Sequence, residues 1–211
     1  MPDHVTALEM ILMRTDVRRR FGVADGLILV AATAVGLATS RWLAPDLTLQ
    51  QFSEYVTKPR DGRRSLTFFI LQLTAELSSV FVIPGLVAWT VACLLLRLRR
   101  PRPPWRRLSR QPGTMACLIA TVAIGLSAAF GAIGWVMEDQ RDDAMEWLAV
   151  QSLAVPPQAG AAVFWCWVTM ALSGRWRPEP TWLDRLCRLL GLAWLTMALL
   201  FTYAYRSVFT M

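Results

Sequence analysis

Apolar residues along this chain gather into five long blocks, near 21–43, 66–96, 115–137, 147–173 and 182–205, and charged residues fall mostly between them. A block of about 20 apolar residues coiled as an α-helix matches the hydrocarbon thickness of a bilayer. Inside that hydrocarbon only helices or closed barrels satisfy the backbone polar groups. The pattern predicts an all-α, polytopic helical membrane protein, with residues 1–211 forming one integral membrane domain of about five transmembrane helices. The lead-in, 1–21, adds a short amphipathic helix. Thr6 and Glu9 have capping-box spacing, Leu8, Ile11, Leu12 and Thr15 recur at helical spacing, and Arg14, Arg18, Arg19 and Arg20 follow.

The blocks differ in ways that predict their shapes. In the first, Ala32 and Gly36 make a small-xxx-small pair that permits close helix approach. The second is longer than a bilayer needs, so it tilts, bends near Pro84 or extends beyond the lipid. The third carries Gly125, Ala129, Gly131 and Gly134, a second close-packing signal. In the fourth, Pro156-Pro157 either kinks the span or marks the true start of a short helix. The fifth has Thr181 as its N-cap, with Asp184 and Arg188 spaced as an i,i+4 pair. Between the first two blocks, residues 44–66 hold Leu47, Leu49, Phe52, Tyr55 and Val56, a pattern for a short interfacial helix.

Charge orients these spans. Arg97, Arg99, Arg100, Arg102, Arg106, Arg107 and Arg110 crowd the segment after the second block, and arginines flanking a span stay on the cytoplasmic side. The 138–146 segment one span later is acidic, with Glu138, Asp139, Asp142, Asp143 and Glu146. With the N-terminus inside and the C-terminus outside, 15 of the 22 basic residues lie on the inner side, and four of the exceptions (Lys58, Arg60, Arg63 and Arg64) sit in the first outer loop. The expected location is the cytoplasmic (inner) membrane. Trp42, Trp135, Trp147, Trp176 and Trp182 fall at the interfaces as an aromatic belt, while Trp89, Trp165, Trp167 and Trp194 read as packing residues.

Composition agrees: 55% of residues are hydrophobic and the mean hydropathy is +0.40. The net charge of +7 belongs to the loops of a membrane protein rather than to a nucleic-acid partner. Cys93, Cys117, Cys166 and Cys187 form no CxxC pair and all fall inside apolar blocks, so they read as small hydrophobes rather than a disulfide framework or metal site. The sole histidine, His4, lies outside every span, which argues against intramembrane haem or metal ligation through histidine. No cofactor is expected.

Glu76 is the one carboxylate well inside an apolar block. Gln72, Glu76 and Ser79 share a helix face, and Gln158 lies in the fourth block, so these four make the candidate intramembrane polar site. The seven arginines of the 97–110 segment are the candidate contact for anionic lipids or a partner subunit. Asp25, near the start of the first block, reads as a helix-start or interfacial ion-pair residue. Gly125-Leu126-Ser127-Ala128 resembles the nucleophile segment of rhomboid intramembrane proteases, but a serine nucleophile needs a nearby base and no span supplies a histidine. The 25–38 run is similar to the first helix of many small multi-span bacterial membrane proteins, which implies a membrane fold and no activity.

No catalytic set is legible. The expectation is a non-catalytic integral membrane protein in contact with the bilayer, a structural or accessory subunit of an assembly with other membrane subunits. The alternative is a small transporter or channel subunit with Glu76 in a polar intramembrane path.

Overall fold

A computed structural model describes residues 22–43, 66–99, 104–137, 144–177 and 181–209. The 1–21 lead-in, most of the 44–66 loop, Arg100, Arg102 and the charged core of the 138–146 segment lie outside the described residues. The elements in chain order are α1 (Val23–Leu43), α2 (Leu66–Leu77), a π turn (Ser78–Val82), α3 (Ile83–Leu98), α4 (Trp105–Leu108), α5 (Pro112–Met137), α6 (Ala144–Leu172) and α7 (Trp182–Phe209). The protein is a helical membrane protein. Among the described residues, four helices are long and apolar enough to cross a bilayer: Val23–Leu43, Leu73–Leu98, Pro112–Ile133 and Trp182–Ala204. The fifth long helix, α6, has 29 residues and packs along both α5 and α7.

The overlong second block resolves into α2, the π turn and α3 in direct succession. Proline lacks an N–H and its ring collides with the carbonyl four residues back, which in a regular helix forces a kink. Here the widened turn ends two residues before Pro84, and the Ile83 N–H reaches back five residues to the Ser78 carbonyl. The bend expected at Pro84 therefore takes the form of a π insertion that absorbs the missing bond. At Pro156-Pro157 the result differs from one of the two expectations. The α6 helix runs through both prolines, so the short helix starting at Pro156 is not formed.

Helix ends follow their local sequence. Pro112 opens α5 at the first helical position, where its missing N–H costs nothing. Thr181 caps α7, its Oγ1 accepting the Asp184 N–H at 3.4 Å. Gly174 (φ 64°) closes α6 in a Schellman turn, with Gly174 N–H bonded to Ala171 O at 3.2 Å and Arg175 N–H to Met170 O at 3.0 Å. Just beyond it, Arg177 N–H bonds to Arg110 O at 3.0 Å and joins the two connecting segments at the arginine-rich end.

The core lies among α3, α5, α6 and α7. Cys93, Leu96, Ala120, Ala159, Val163, Leu183, Trp194 and Phe201 are buried there. Trp194 Nε1 donates to Thr90 Oγ1 at 3.0 Å in the middle of this core. Helix α1 sits at the edge and packs on α3 and the π turn alone among the helices in substantial contact. The close approach predicted for Ala32 and Gly36 occurs there: a methyl group on Gly36 would lie 2.8 Å from the Gly85 Cα. The second close-packing signal divides: Gly131 is buried, as close packing requires. Gly125 and Ala129 face outward, and open space surrounds Gly125. Trp165, expected in the packing, is 65% exposed and also faces outward. Other large apolar side chains, including Val30, Phe130, Leu172 and Leu199, complete a surface suited to lipid contact.

Candidate functional site

Because α1 packs on α3 and makes no substantial contact with α5, a groove opens between α1 and α5 with α3 as its floor. Its volume is about 1060 Å³. Ile28, Ala32, Val35, Thr39 and Leu43 form the α1 wall, a stripe at helical spacing along the whole helix. Ile83, Val87, Val91 and Leu95 run along the floor, and Ile124, Ser127, Ala128 and Ala132 of α5 form the other wall in the half farthest from the arginines. Val35 and Leu95 are 59% and 58% exposed, so the groove opens sideways toward the membrane.

Three hydroxyls line this groove, and each is turned back on its own helix. Thr39 Oγ1 donates to Val35 O at 2.9 Å, Ser79 Oγ to Glu76 O at 2.6 Å, and Ser127 Oγ lies 2.9 Å from Ala123 O. The wall therefore presents hydrocarbon. Ser127 also meets the Gln158 Oε1 across the α5–α6 contact, so the serine of the rhomboid-like segment has an amide as its side-chain partner.

Of the candidate polar site, the three residues whose side chains are described do not share one surface. Ser79 lines the groove, while Gln158 sits on α6 against Ser127. Glu76 is half-buried on α2, a helix that packs against α7, and does not line the groove. The Gln72 side chain lies outside the described residues.

The arginine-rich end holds a second constellation, which sequence reading missed. Arg97 is buried, and its Nη2 donates to Gln111 Oε1. The same oxygen accepts the Thr114 hydroxyl at 3.0 Å. Asp184 is fully buried and pairs with Arg188 at 3.2 Å, as its i,i+4 spacing predicts. Gly113 lets α7 approach the start of α5: a methyl there would lie 2.5 Å from Asp184 O and 2.8 Å from its Oδ1. Asp184 thus stands in the first turn of its own helix and beside the first turn of α5, both favourable for negative charge, while Arg97 stands in the last turn of α3, favourable for positive charge. One signal pointed to the burial of Arg97. It continues the stripe Leu86, Thr90, Cys93 at helical spacing, and all three of those residues are buried.

The remaining arginines divide. Arg99, Arg106 and Arg110 are exposed, the Arg107 side chain is not described, and Arg100 and Arg102 lie outside the described residues. Arg99 Nη1 lies 4.0 Å from Asp25 Oδ1, with side-chain exposures of 51% and 7%. Asp25 also accepts the Gly22 N–H at 3.2 Å, so it serves both as helix-start residue and as an ion-pair partner.

Just inside this end, three of the four cysteines meet. The Cys187 thiol lies within hydrogen-bonding reach of Cys93 and Cys117, which come from two other helices. All four thiols are free. Among the described residues, no group of three or more His, Cys, Asp or Glu side chains is placed to hold a metal ion. The thiols pack as small apolar groups beneath the polar cluster.

No protein-family model, curated protein or solved structure matches this chain.

Proposed function

We propose that this chain is a non-catalytic integral membrane protein, a structural or accessory subunit of a larger membrane assembly. It sits in the cytoplasmic (inner) membrane with five spans, the arginine-rich end and N-terminus inside and the C-terminus outside. The observation that carries the reading is the set of buried polar residues Arg97, Gln111, Thr114 and Asp184, the last paired with a half-buried Arg188. Polar side chains deep in such a bundle are expensive and usually mark a working path or a structural tie. Here Arg97 bonds Gln111 from α3 to the start of α5, and Asp184 pairs with Arg188 along α7. The groove hydroxyls likewise bond within their own helices.

The test is purification in mild detergent followed by light scattering on the eluted particle. The expected mass exceeds one 23.7 kDa chain plus its detergent. A strictly monomeric protein without a stoichiometric companion ends the assembly reading. Labelling of a cysteine added at the C-terminus is expected from the outside only, and labelling from the cytoplasm overturns the five-span arrangement.

A second reading is favoured by one feature. The π turn begins two residues after Glu76, and π insertions recur at functional sites. In that reading the chain is a small transporter or channel subunit, and Glu76→Gln abolishes ion flux in vesicles without loss of folded protein. Unchanged flux returns Glu76 to a structural role.

A further inference from the structure

We infer that the groove between α1 and α5 is a binding site for an anionic phospholipid from the leaflet on the arginine-rich side, with its acyl chains along α3 and its headgroup phosphate at Arg99. The inference names the chemistry of one surface of the proposed accessory subunit, and it rests on that reading only for the membrane orientation.

Shape is the first argument. From Ile28 to Leu43 the α1 wall spans about 22 Å of helix rise. One leaflet of hydrocarbon is about 15 Å deep, half of a core about 30 Å thick. An acyl chain entering at the arginine-rich end therefore fits along the groove without reaching its far limit. The volume of about 1060 Å³ is far more than packing defects within a bundle provide.

Chemistry is the second argument. With Thr39, Ser79 and Ser127 bonded to their own backbones, the lining offers hydrocarbon to its occupant. A polar solute entering it would lose its water and gain few hydrogen bonds, an unfavourable exchange. An aliphatic chain loses nothing.

Charge at the mouth is the third. Leu95 is the last floor residue, and Arg99 follows one turn later, its backbone N–H bonded to Leu95 O at 3.0 Å. Across the mouth, Asp25 stands one turn before Ile28, the first wall residue. The Arg99–Asp25 pair thus bridges the two helices that frame the opening. At 4.0 Å the contact is loose, and half of the Arg99 side chain remains exposed. A guanidinium has five N–H donors, so it can hold this carboxylate and a phosphate together. Arg100 and Arg102 follow in the sequence and add positive charge to the same segment.

The experiment uses the full chain, delipidated in neutral detergent and titrated with phosphatidylglycerol or phosphatidylcholine carrying identical brominated acyl chains. Quenching of tryptophan fluorescence reports binding. Trp89, whose Nε1 bonds to Thr33 of α1 at 3.1 Å, sits between the two helices concerned. Phosphatidylglycerol should bind about fivefold more tightly than phosphatidylcholine, the preference expected from one arginine at a membrane surface. Arg99→Gln should erase the preference and leave phosphatidylcholine binding unchanged, while Arg99→Lys should retain it. Val35→Phe, at an exposed wall position that tolerates bulk, should weaken both lipids. Circular dichroism confirms that each variant remains folded.

Equal affinity for the two lipids, a preference that survives Arg99→Gln, or binding unaffected by Val35→Phe overturns the proposal. Loss of oligomeric mass on Val35→Phe with lipid binding intact also overturns it and gives the groove to a partner helix. Because lipid binding is read on the isolated chain, a failure of the assembly reading leaves this result standing, and the reverse holds equally.

Discussion

The arginine-rich end of the bundle and the groove beside α1 treat polar side chains in opposite ways. At the end, Arg97 of α3 reaches across to Gln111, which leads into α5 and also holds Thr114, so a buried side-chain bond ties α3 to the start of α5. In the groove, Thr39 and Ser79 bond to their own backbones and contribute nothing between helices. Polar groups in a membrane require partners. Only the first converts that requirement into architecture. The second leaves a smooth hydrocarbon wall, which is a surface for something else.

This contrast is open to graded attack by mutation. The largest effect is expected from Asp184→Ala. Asp184 is fully buried and Arg188 a third exposed, so removing the carboxylate strands a partly buried charge, and the loss should be about 3 kcal/mol, read as a shift in denaturant-induced unfolding in mixed micelles. Gly113→Leu comes next at about 2 kcal/mol, because a side chain there collides with the Asp184 backbone and the Cys187 Cβ. Trp194→Phe removes the bond to Thr90 while keeping most of the ring, and about 1 kcal/mol is expected. Thr39→Val should be almost silent, below about 0.5 kcal/mol, because its hydroxyl serves only its own helix. If Thr39→Val costs as much as Trp194→Phe, the distinction between the two regions collapses.

The span pattern was legible because it depends on period and length. Apolar blocks, the Thr181 cap, the Asp184–Arg188 pair and the Ala32–Gly36 approach all follow from residues near one another in sequence. Harder to read were features made by pairs far apart. Gln111 appears in the sequence as a polar residue in a basic linker, and nothing local shows that it meets Arg97 fourteen residues earlier. The thiol contact among Cys93, Cys117 and Cys187 joins three separate helices, so their shared depth was visible and their meeting was not. The small-residue signal on α5 was ambiguous for a related reason. Small side chains permit close packing, but a neighbour must be present to use it, and none stands beside Gly125. The groove arises because α1 packs on α3 without substantial contact with α5, which no single helix encodes.

The bond between Trp194 and Thr90 joins residues 104 positions apart. A ribosome delivers the Thr90 helix to the membrane long before the Trp194 helix emerges. Until then the slot beside Thr90, Cys93 and Arg97 lacks its final wall, and the half-made bundle exposes polar groups that the finished one conceals. The arrival of α7 closes that slot.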